Sequence, residues 1–433
     1  MSALALRWPE NKINPSLDRI KLLLDYLGNP QAGLKVIHIA GTNGKTSTSR
    51  MVERLLRSLD LRTGLYISPH LNHPRERISI DGVPISIPSF EETFKQVEPF
   101  LTLVDEKFPD SPLTFFEVLT AMAFVSFADA PVDAVSLEVG MGGLWDATNV
   151  LTPMVSVINP IDLDHQEYLG NTIEKIAFEK SGIIKDSIPV VVSSQSKEAA
   201  KVIFLKAAES NSRLIREGIE LDVLERSVGI GGQQLTIANP YGIHSELFLP
   251  LFGKHQASNA AVALTAVESF IDKQIDHEIV QEAFSEFTSP GRLQILKRNP
   301  TVVIDAAHNP AGIKATKLGI DESFKFENLI LIIAFMGDKD IDQILDELKG
   351  FAPIVILTQT SSPRALKVND LANKVSKIAG FAQRVEVSEN SENAIKIALK
   401  IALDLGNSAG IIALGSVVLA GEIGSIIKGG NKS

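Results

Sequence analysis

The sequence predicts an α/β protein in two parts, each built on an open, mainly parallel sheet. Three observations lead there. Apolar runs bounded by turn residues alternate with segments of helical periodicity; one such run feeds directly into a glycine-rich loop; and Thr288-Ser289-Pro290-Gly291 interrupts a helical pattern before a second series of the same kind begins. At 433 residues the chain is longer than a single core usually serves, so residues 1–288 and 289–433 are expected to fold as separate domains.

The first series has strand-like runs at Leu34–Ile39, Leu65–Ser68, Val132–Val139, Met154–Ile158 and Ile188–Val192. Between them Ser89–Lys107, opened by a Pro88-Ser89 signal, and Thr114–Phe127 place apolar residues three and four apart, as amphipathic helices do. Short alternating segments with the pair Gly231-Gly232 give Ser212–Leu249 a different texture, that of a small antiparallel addition. The second series starts near Arg292 and runs through Thr301–Ile304, Leu329–Phe335, Ile354–Leu357, Val385–Val387 and Gly410–Leu414, a Rossmann-like alternation. In such sheets ligands gather beyond the carboxyl ends of the strands, and a cleft between the domains is the expected site.

The stretch Ala40-Gly41-Thr42-Asn43-Gly44-Lys45-Thr46-Ser47-Thr48 reads as a phosphate-binding loop. Its glycines let successive amides face an anion, the following helix adds a positive N-terminus, Lys45 supplies a point charge and Thr46 can ligate magnesium. The loop is a shortened variant, with Ile39 where the usual motif has its first glycine. A nucleoside triphosphate is therefore the expected ligand.

Other strand ends carry ionisable groups. Glu138 closes Val132–Leu137 ahead of a glycine-rich segment, His165 follows Met154–Ile158, and Ser68 closes a third run; all three suit a magnesium site. Lys180 in Phe178-Glu179-Lys180-Ser181-Gly182 fits, from pattern alone, the polar face of a helix. Asn259 opens a helix as an adenine reader or a cap, Arg292 is placed to neutralise phosphate, and Asp305 and His308 follow a strand as ligand contacts.

Bulk composition excludes several classes. A formal charge of -10 argues against a general nucleic-acid or membrane-surface binder, which would need excess lysine and arginine. No run reaches the ~18 apolar residues of a membrane helix, and Met1–Asn11 lacks a signal peptide's apolar core. A cytoplasmic protein, acting as a monomer on small molecules, is expected. The absence of cysteine removes disulfides, thiolate metal sites and cysteine nucleophiles.

Taken together, Gly41-Thr42-Asn43-Gly44-Lys45, Ser68-Pro69-His70-Leu71, Glu76-Arg77-Ile78, Glu138-Val139-Gly140, Asp146-Ala147-Thr148-Asn149, Leu163-Asp164-His165 and Glu179-Lys180-Ser181-Gly182-Ile183 resemble motifs of the folylpolyglutamate synthase and dihydrofolate synthase family, within the Mur ligase superfamily. His255-Gln256, Pro290-Gly291-Arg292, Asp305–Pro310, Gly415-Ser416 and Gly421-Glu422 continue them in family order. The resemblance runs from about Ile20 to Glu422 and implies an ATP-binding domain of the Mur ligase central type followed by a ligase domain.

The resemblance also implies chemistry. ATP phosphorylates a carboxylate of dihydropteroate or a reduced folate, and the amine of L-glutamate attacks the acyl phosphate. By matching position, Gly41 to Thr46 would hold ATP, with Thr46 on its magnesium, while Ser68, Glu138 and His165 would hold a second magnesium. Lys180 would be carbamylated, and Lys45, Lys180 and His165 would form the catalytic set. Asn259, Arg292, Asp305 and His308 would contact ATP, and Thr114, Asp146 and Arg77 the pterin-bearing substrate. Three departures stand out: Leu144-Trp145 replaces the family's Arg-Leu before Asp146, Thr46 stands where the folate branch usually has glycine, and Pro160-Ile161-Asp162 differs from the usual small-residue segment before Asp164-His165. The competing expectations are a Mur-type ligase extending a UDP-linked peptide and a nucleotide-dependent regulator without ligase activity.

Overall fold

A computed structural model describes residues 15–406 and 408–429 of the protein. The stretch Met1–Asn11 considered above lies outside them. The chain divides into two compact units: residues through Arg226 with Leu235–Phe248 and Ala257–Phe287, and Ser227–Gln234 with Leu249–Gln256 and the segment from Thr288 onward.

The first unit is organised by an eight-stranded sheet of order β4-β3-β2-β5-β1-β6-β7-β8. Its strands are β1 (Val36–Ala40), β2 (Thr63–Tyr66), β3 (Ile78–Ile80), β4 (Val83–Pro84), β5 (Ala134–Glu138), β6 (Val155–Ile158), β7 (Val190–Val192) and β8 (Leu214–Arg216). From β2 to β8 neighbouring strands are parallel, while β3 and β4 add an antiparallel edge. Every residue of β1, β2, β5, β6 and β7 is buried, as expected for strands covered on both faces.

Helices Asp18–Tyr26, Ile87–Lys107 and Phe115–Asp129 pack together through Leu23, Val97, Leu101, Val104, Leu119 and Phe124. Burying such apolar side chains is the main favourable term, about 1.5–3 kcal/mol each. Within this core Arg19 donates from Nε to both Glu117 carboxylate oxygens at 3.1 and 3.2 Å. Thr114 and Glu117 form a reciprocal capping box at the start of Phe115–Asp129. The cap of Ile87–Lys107 is Ser86, whose side chain accepts from the Ser89 amide, so this helix begins ahead of the Ser89 start expected from sequence.

Three strands, β9 (Asp222–Gly229), β10 (Gly232–Asn239) and β11 (Gly242–Leu249), form a sheet of order β11-β10-β9 joined by two-residue turns, the small antiparallel addition. The expected start of that addition at Ser212 needs correction, because Leu214–Arg216 pairs parallel to β7. A strand of three residues is too short for periodicity to assign.

The second unit carries a six-stranded sheet of order β12-β13-β17-β14-β15-β16, made of β12 (Gln294–Arg298), β13 (Thr301–Ile304), β14 (Asn328–Ile333), β15 (Ile354–Leu357), β16 (Arg384–Val387) and β17 (Ala409–Leu414). All neighbours are parallel except β12 and β13, an antiparallel hairpin that the sequence pattern did not show. Ile313, Leu331, Ile333, Phe335, Ile344 and Leu371 form its core. Among the described residues no helix is long and apolar enough to cross a membrane.

Candidate functional site at the strand ends of the first sheet

Four adjacent parallel strands, β2, β5, β1 and β6, deliver Ser68, Glu138, Gly41 and Asn159 to one edge of the sheet. This is the carboxyl edge, where open α/β sheets bind ligands. The loop after β1 closes tightly. Gly41 has φ +150°, and a Cβ there would lie 2.6 Å from Asn159 Cβ; Gly44 has φ +85°, and its Cβ would lie 2.5 Å from Asn259 Oδ1. Only glycine fits either position without strain.

The loop amides divide their work. Those of Thr42 and Asn43 both donate to the Pro160 carbonyl, at 2.9 and 3.3 Å, so the expectation that successive amides of the whole loop face an anion is too broad. The helix Lys45–Arg57 makes its first internal bond from Thr48 N–H to Gly44 O, so the amides of Lys45, Thr46 and Ser47 lie ahead of the helical ladder. That positive helix end is where an anion is stabilised.

Two lysines meet on one carbonyl. Lys45 Nζ donates to Gly41 O at 3.0 Å and Thr42 O at 3.2 Å, and Lys180 Nζ donates to Gly41 O at 2.8 Å. Lys180 is 4% exposed, which corrects the polar-face reading from pattern alone. Helical periodicity gives the phase of the helix Ile173–Ser181 but not what covers it. Here the covering is the Gly41 loop on one side and the segment from Gly143 on the other, where a Cβ at Gly143 would lie 3.0 Å from Lys180 Cα. Burial, reinforced by the positive charge of Lys45, pushes the Lys180 ammonium down to about 7, against the opposing pull of Asp164, Asp146 and Glu179.

The oxygen groups expected to hold magnesium are also adjacent. Thr46 Oγ1 donates to Glu138 Oε1 at 3.0 Å, and the Ser68 amide reaches Glu138 Oε2 at 3.4 Å. His165 stands in the left-handed conformation (φ 52°) before the short helix Gln166–Leu169, with its amide on Asp164 Oδ1 at 2.9 Å and its Nε2 3.8 Å from Asp164 Oδ2. This segment is tied to the loop through Asp162, whose amide and carbonyl both bond Thr42 Oγ1 at 3.0 Å. Among the described residues no group of three or more His, Asp or Glu is placed to hold a metal. A hydroxyl beside a single carboxylate nonetheless suits Mg2+, which takes one or two carboxylates and completes its shell from phosphates and water.

Asn259 lies beside the loop, accepting at Oδ1 from Asn159 Nδ2 at 3.4 Å. Asn159 also donates to Thr48 Oγ1 at 2.9 Å. Sequence reasoning passed over Asn159 and met Pro160 only as a departure from the family pattern, although an Asn-Pro pair closing an apolar run was the available signal.

The residues expected near the acceptor are held by a second network. Arg77 is buried, donates from Nε to His70 Nδ1 at 2.9 Å and lies over the Phe115 ring at 5.5 Å from its centroid. Thr114 caps the Phe115–Asp129 helix. Asp146 accepts from the Met141 amide at 2.9 Å, the Thr148 amide at 3.0 Å and Thr148 Oγ1 at 2.6 Å, and burial raises its pKa against these bonds. The loop Gly142–Asn149 docks on the helix end that bears Lys180: Leu144 N–H donates to Glu179 O at 2.8 Å, and Asn149 Nδ2 donates to Leu144 O at 3.0 Å and Gly182 O at 3.2 Å.

In the second unit Asp305 ties the loop after β13 together, accepting from the amides of Leu293 and Ala307, each at 2.8 Å, and from Thr316 Oγ1 at 3.0 Å. It thereby fixes the backbone next to Arg292. His308 Nδ1 donates to Ala306 O at 2.9 Å.

Known proteins place this arrangement. Residues 39–267 match the Mur ligase middle domain, and residues 291–417 match the Mur ligase glutamate ligase domain. The dihydrofolate synthase/folylpolyglutamate synthase of Mycobacterium tuberculosis is 45% identical over 96% of this chain and 90% of its own length. A crystal structure of Mycobacterium tuberculosis folylpolyglutamate synthase complexed with ADP and AMPPCP aligns over 95% of both chains with a TM-score of 0.92 at 45% identity. Escherichia coli FolC in complex with DHPP and ADP aligns over 100% of this chain and 97% of its own with a TM-score of 0.87 at 27% identity. With both domain families matched in order and a relative this similar across nearly its whole length, the chain belongs to the Mur ligase family, in its folylpolyglutamate synthase and dihydrofolate synthase branch.

Proposed function

We propose that this protein is an ATP-dependent amide ligase that joins L-glutamate to dihydropteroate and to folate glutamates, acting as a cytoplasmic monomer. The observation that carries this reading is the meeting of Lys45 and Lys180 on the Gly41 carbonyl beside the Thr46–Glu138 pair. A lysine cation and a hard-oxygen pair able to take Mg2+ at a helix N-terminus suit a triphosphate next to a substrate carboxylate, which would otherwise repel it. An acceptor carboxylate oxygen attacks the γ-phosphorus of ATP, and ADP leaves. The glutamate amine then attacks the acyl carbon, the C–N bond forms, inorganic phosphate departs with its oxygen, and the amine loses a proton.

Lys45 and the amides at the start of Lys45–Arg57 bind and orient the phosphates. Thr46, Ser68, Glu138, His165 and Lys180 would hold magnesium at two positions, where Mg2+ would offset phosphate charge and polarise a phosphoryl oxygen. Lys180 suits carbamylation because its amine is buried and, with its pKa lowered to about 7, the neutral form that adds to carbon dioxide is well populated near neutral pH. The charge on Lys45 that disfavours an ammonium there favours the carbamate anion. Asn259, Arg292, Asp305 and His308 are assigned to the nucleotide, and Thr114, Asp146 and Arg77 to the acceptor.

Purified protein incubated with ATP, Mg2+, L-glutamate and either dihydropteroate or tetrahydrofolate should release ADP and give products heavier by glutamyl units in a mass spectrum. Failure to glutamylate any pterin or folate acceptor would sink the assignment. ADP release driven by a UDP-linked peptide instead would replace it with the peptide-ligase reading.

A further inference from the structure

We propose that His38 and Thr148 are positioning residues for the acceptor, setting the Asp146 carboxylate through a buried hydrogen-bonded chain; the inference rests on Asp146 being an acceptor contact. His38 sits in the middle of β1, between Leu137 of β5 and Ser156 of β6, in a strand otherwise made of apolar residues. It is wholly buried. An apolar side chain there would cost less, because a buried polar ring must find partners to offset its desolvation.

The ring has one partner of consequence. His38 Nε2 lies 2.8 Å from Thr148 Oγ1, and Thr148 Oγ1 lies 2.6 Å from Asp146 Oδ1. A threonine hydroxyl carries a single proton, and a carboxylate only accepts. The hydroxyl proton therefore goes to Asp146, and the hydrogen on the other bond must come from His38. This fixes the neutral Nε2–H tautomer and leaves Nδ1 as the bare nitrogen, in keeping with its lack of any hydrogen-bond partner. Burial, aided by the positive charge of Lys185, lowers the His38 pKa to about 3, so the ring is neutral at every working pH.

The chain thus runs His38 to Thr148 to Asp146. The other side of the carboxylate is held by the amides of Met141 and Gly140. Asp146 lies in a loop, and a loop alone orients a side chain loosely. The relay anchors it to the central strand of the sheet, three residues before Gly41, where the backbone is paired on both sides.

The test compares His38→Met, which keeps bulk but removes the donor, with His38→Gln, which retains an N–H. Thr148→Val breaks the chain at its middle link if the histidine variant folds poorly. In steady-state assays with dihydropteroate, ATP and glutamate varied in turn, His38→Met and Thr148→Val should raise the acceptor KM about five- to thirtyfold, the scale of one buried hydrogen bond. The KM for ATP and kcat should stay within about twofold, and His38→Gln should recover most of the loss. Hydrogen exchange at the Met141 amide should quicken severalfold in His38→Met, a readout that needs no acceptor. An unchanged acceptor KM and unchanged exchange would overturn the proposal, as would a uniform fall in all kinetic constants or a His38→Gln variant no better than His38→Met. If the parent protein glutamylates no pterin or folate, the functional reading fails by itself, and the exchange measurement still decides whether His38 holds Asp146.

Discussion

Replacing Gly182 by alanine should separate the loop Gly142–Asn149 from the helix end that bears Lys180. Gly182 does not need a left-handed backbone, so the effect is steric alone. A Cβ at this position would lie 2.4 Å from Leu144 Cα and 2.7 Å from Leu144 N, about 1 Å inside ordinary van der Waals contact. The opposing atoms are backbone, so no rotamer change relieves the clash. Opening the contact by that amount stretches the Leu144–Glu179 bond and the Asn149 bond to the Gly182 carbonyl, now 2.8 and 3.2 Å, beyond useful length. Overpacking costs about 1–3 kcal/mol and each lost bond about 1 kcal/mol, together about 3–5 kcal/mol. For a unit of this size that corresponds to a fall of about 6–15 °C in its unfolding temperature. Thermal unfolding followed by circular dichroism, with a parallel ligation assay, tests it. The loop also borders Lys180, so kcat/KM should fall at least tenfold at a temperature where the variant is still folded, while ADP affinity changes less than threefold because the Gly41–Thr46 loop makes no part of the contact. An alanine variant with the parent's unfolding temperature and activity would refute the reasoning.

Two further outcomes follow from buried charge. His38 stays neutral in the folded protein down to about pH 3 but takes up a proton near 6.5 when unfolded, so the unfolded state binds more protons in that window and stability drops as pH falls through it. The single group contributes a slope of up to about 1.4 kcal/mol per pH unit, and urea denaturation at pH 7.5 and 5.5 should show about 1 kcal/mol less acid sensitivity in His38→Gln than in the parent. Arg19→Met should cost about 3–5 kcal/mol because it strands Glu117, whose pKa burial already raises against the opposing pull of Arg19; adding Glu117→Gln should restore most of that loss in chemical denaturation.

Much of the site was legible in the chain because phosphate recognition is local. Glycine torsions, a lysine and a hydroxyl at the start of a helix lie within six residues, and Gly41 to Thr46 could be read without knowing the fold. Glu138, Ser68 and His165 were singled out by a weaker local sign, a polar residue at the end of an apolar run. Lys180 marks the limit of that method. Its place on a helix was legible but the polar-face reading was not right, because its burial depends on Gly41, 139 residues away in sequence, and on Gly143. Asn159 and His38 were missed because each acts on a partner that only strand order supplies. The hairpin of β12 with β13 and the assignment of Leu214–Arg216 to the main sheet failed for a related reason, since short strands take their identity from the neighbour they pair with.

The amino-acid order by itself determined the α/β class, the phosphate loop and the residue types able to meet a triphosphate and its metal, because backbone torsion and periodicity are properties of adjacent residues. Tertiary structure alone decided that β5 lies between β2 and β1 and that β6 flanks β1 on the other side. That strand order sets Glu138 against Thr46 and leads His38 through Thr148 to Asp146. The reason is physical: which strand pairs with which depends on burial and hydrogen bonding summed over the whole sheet, and no window along the chain contains that sum.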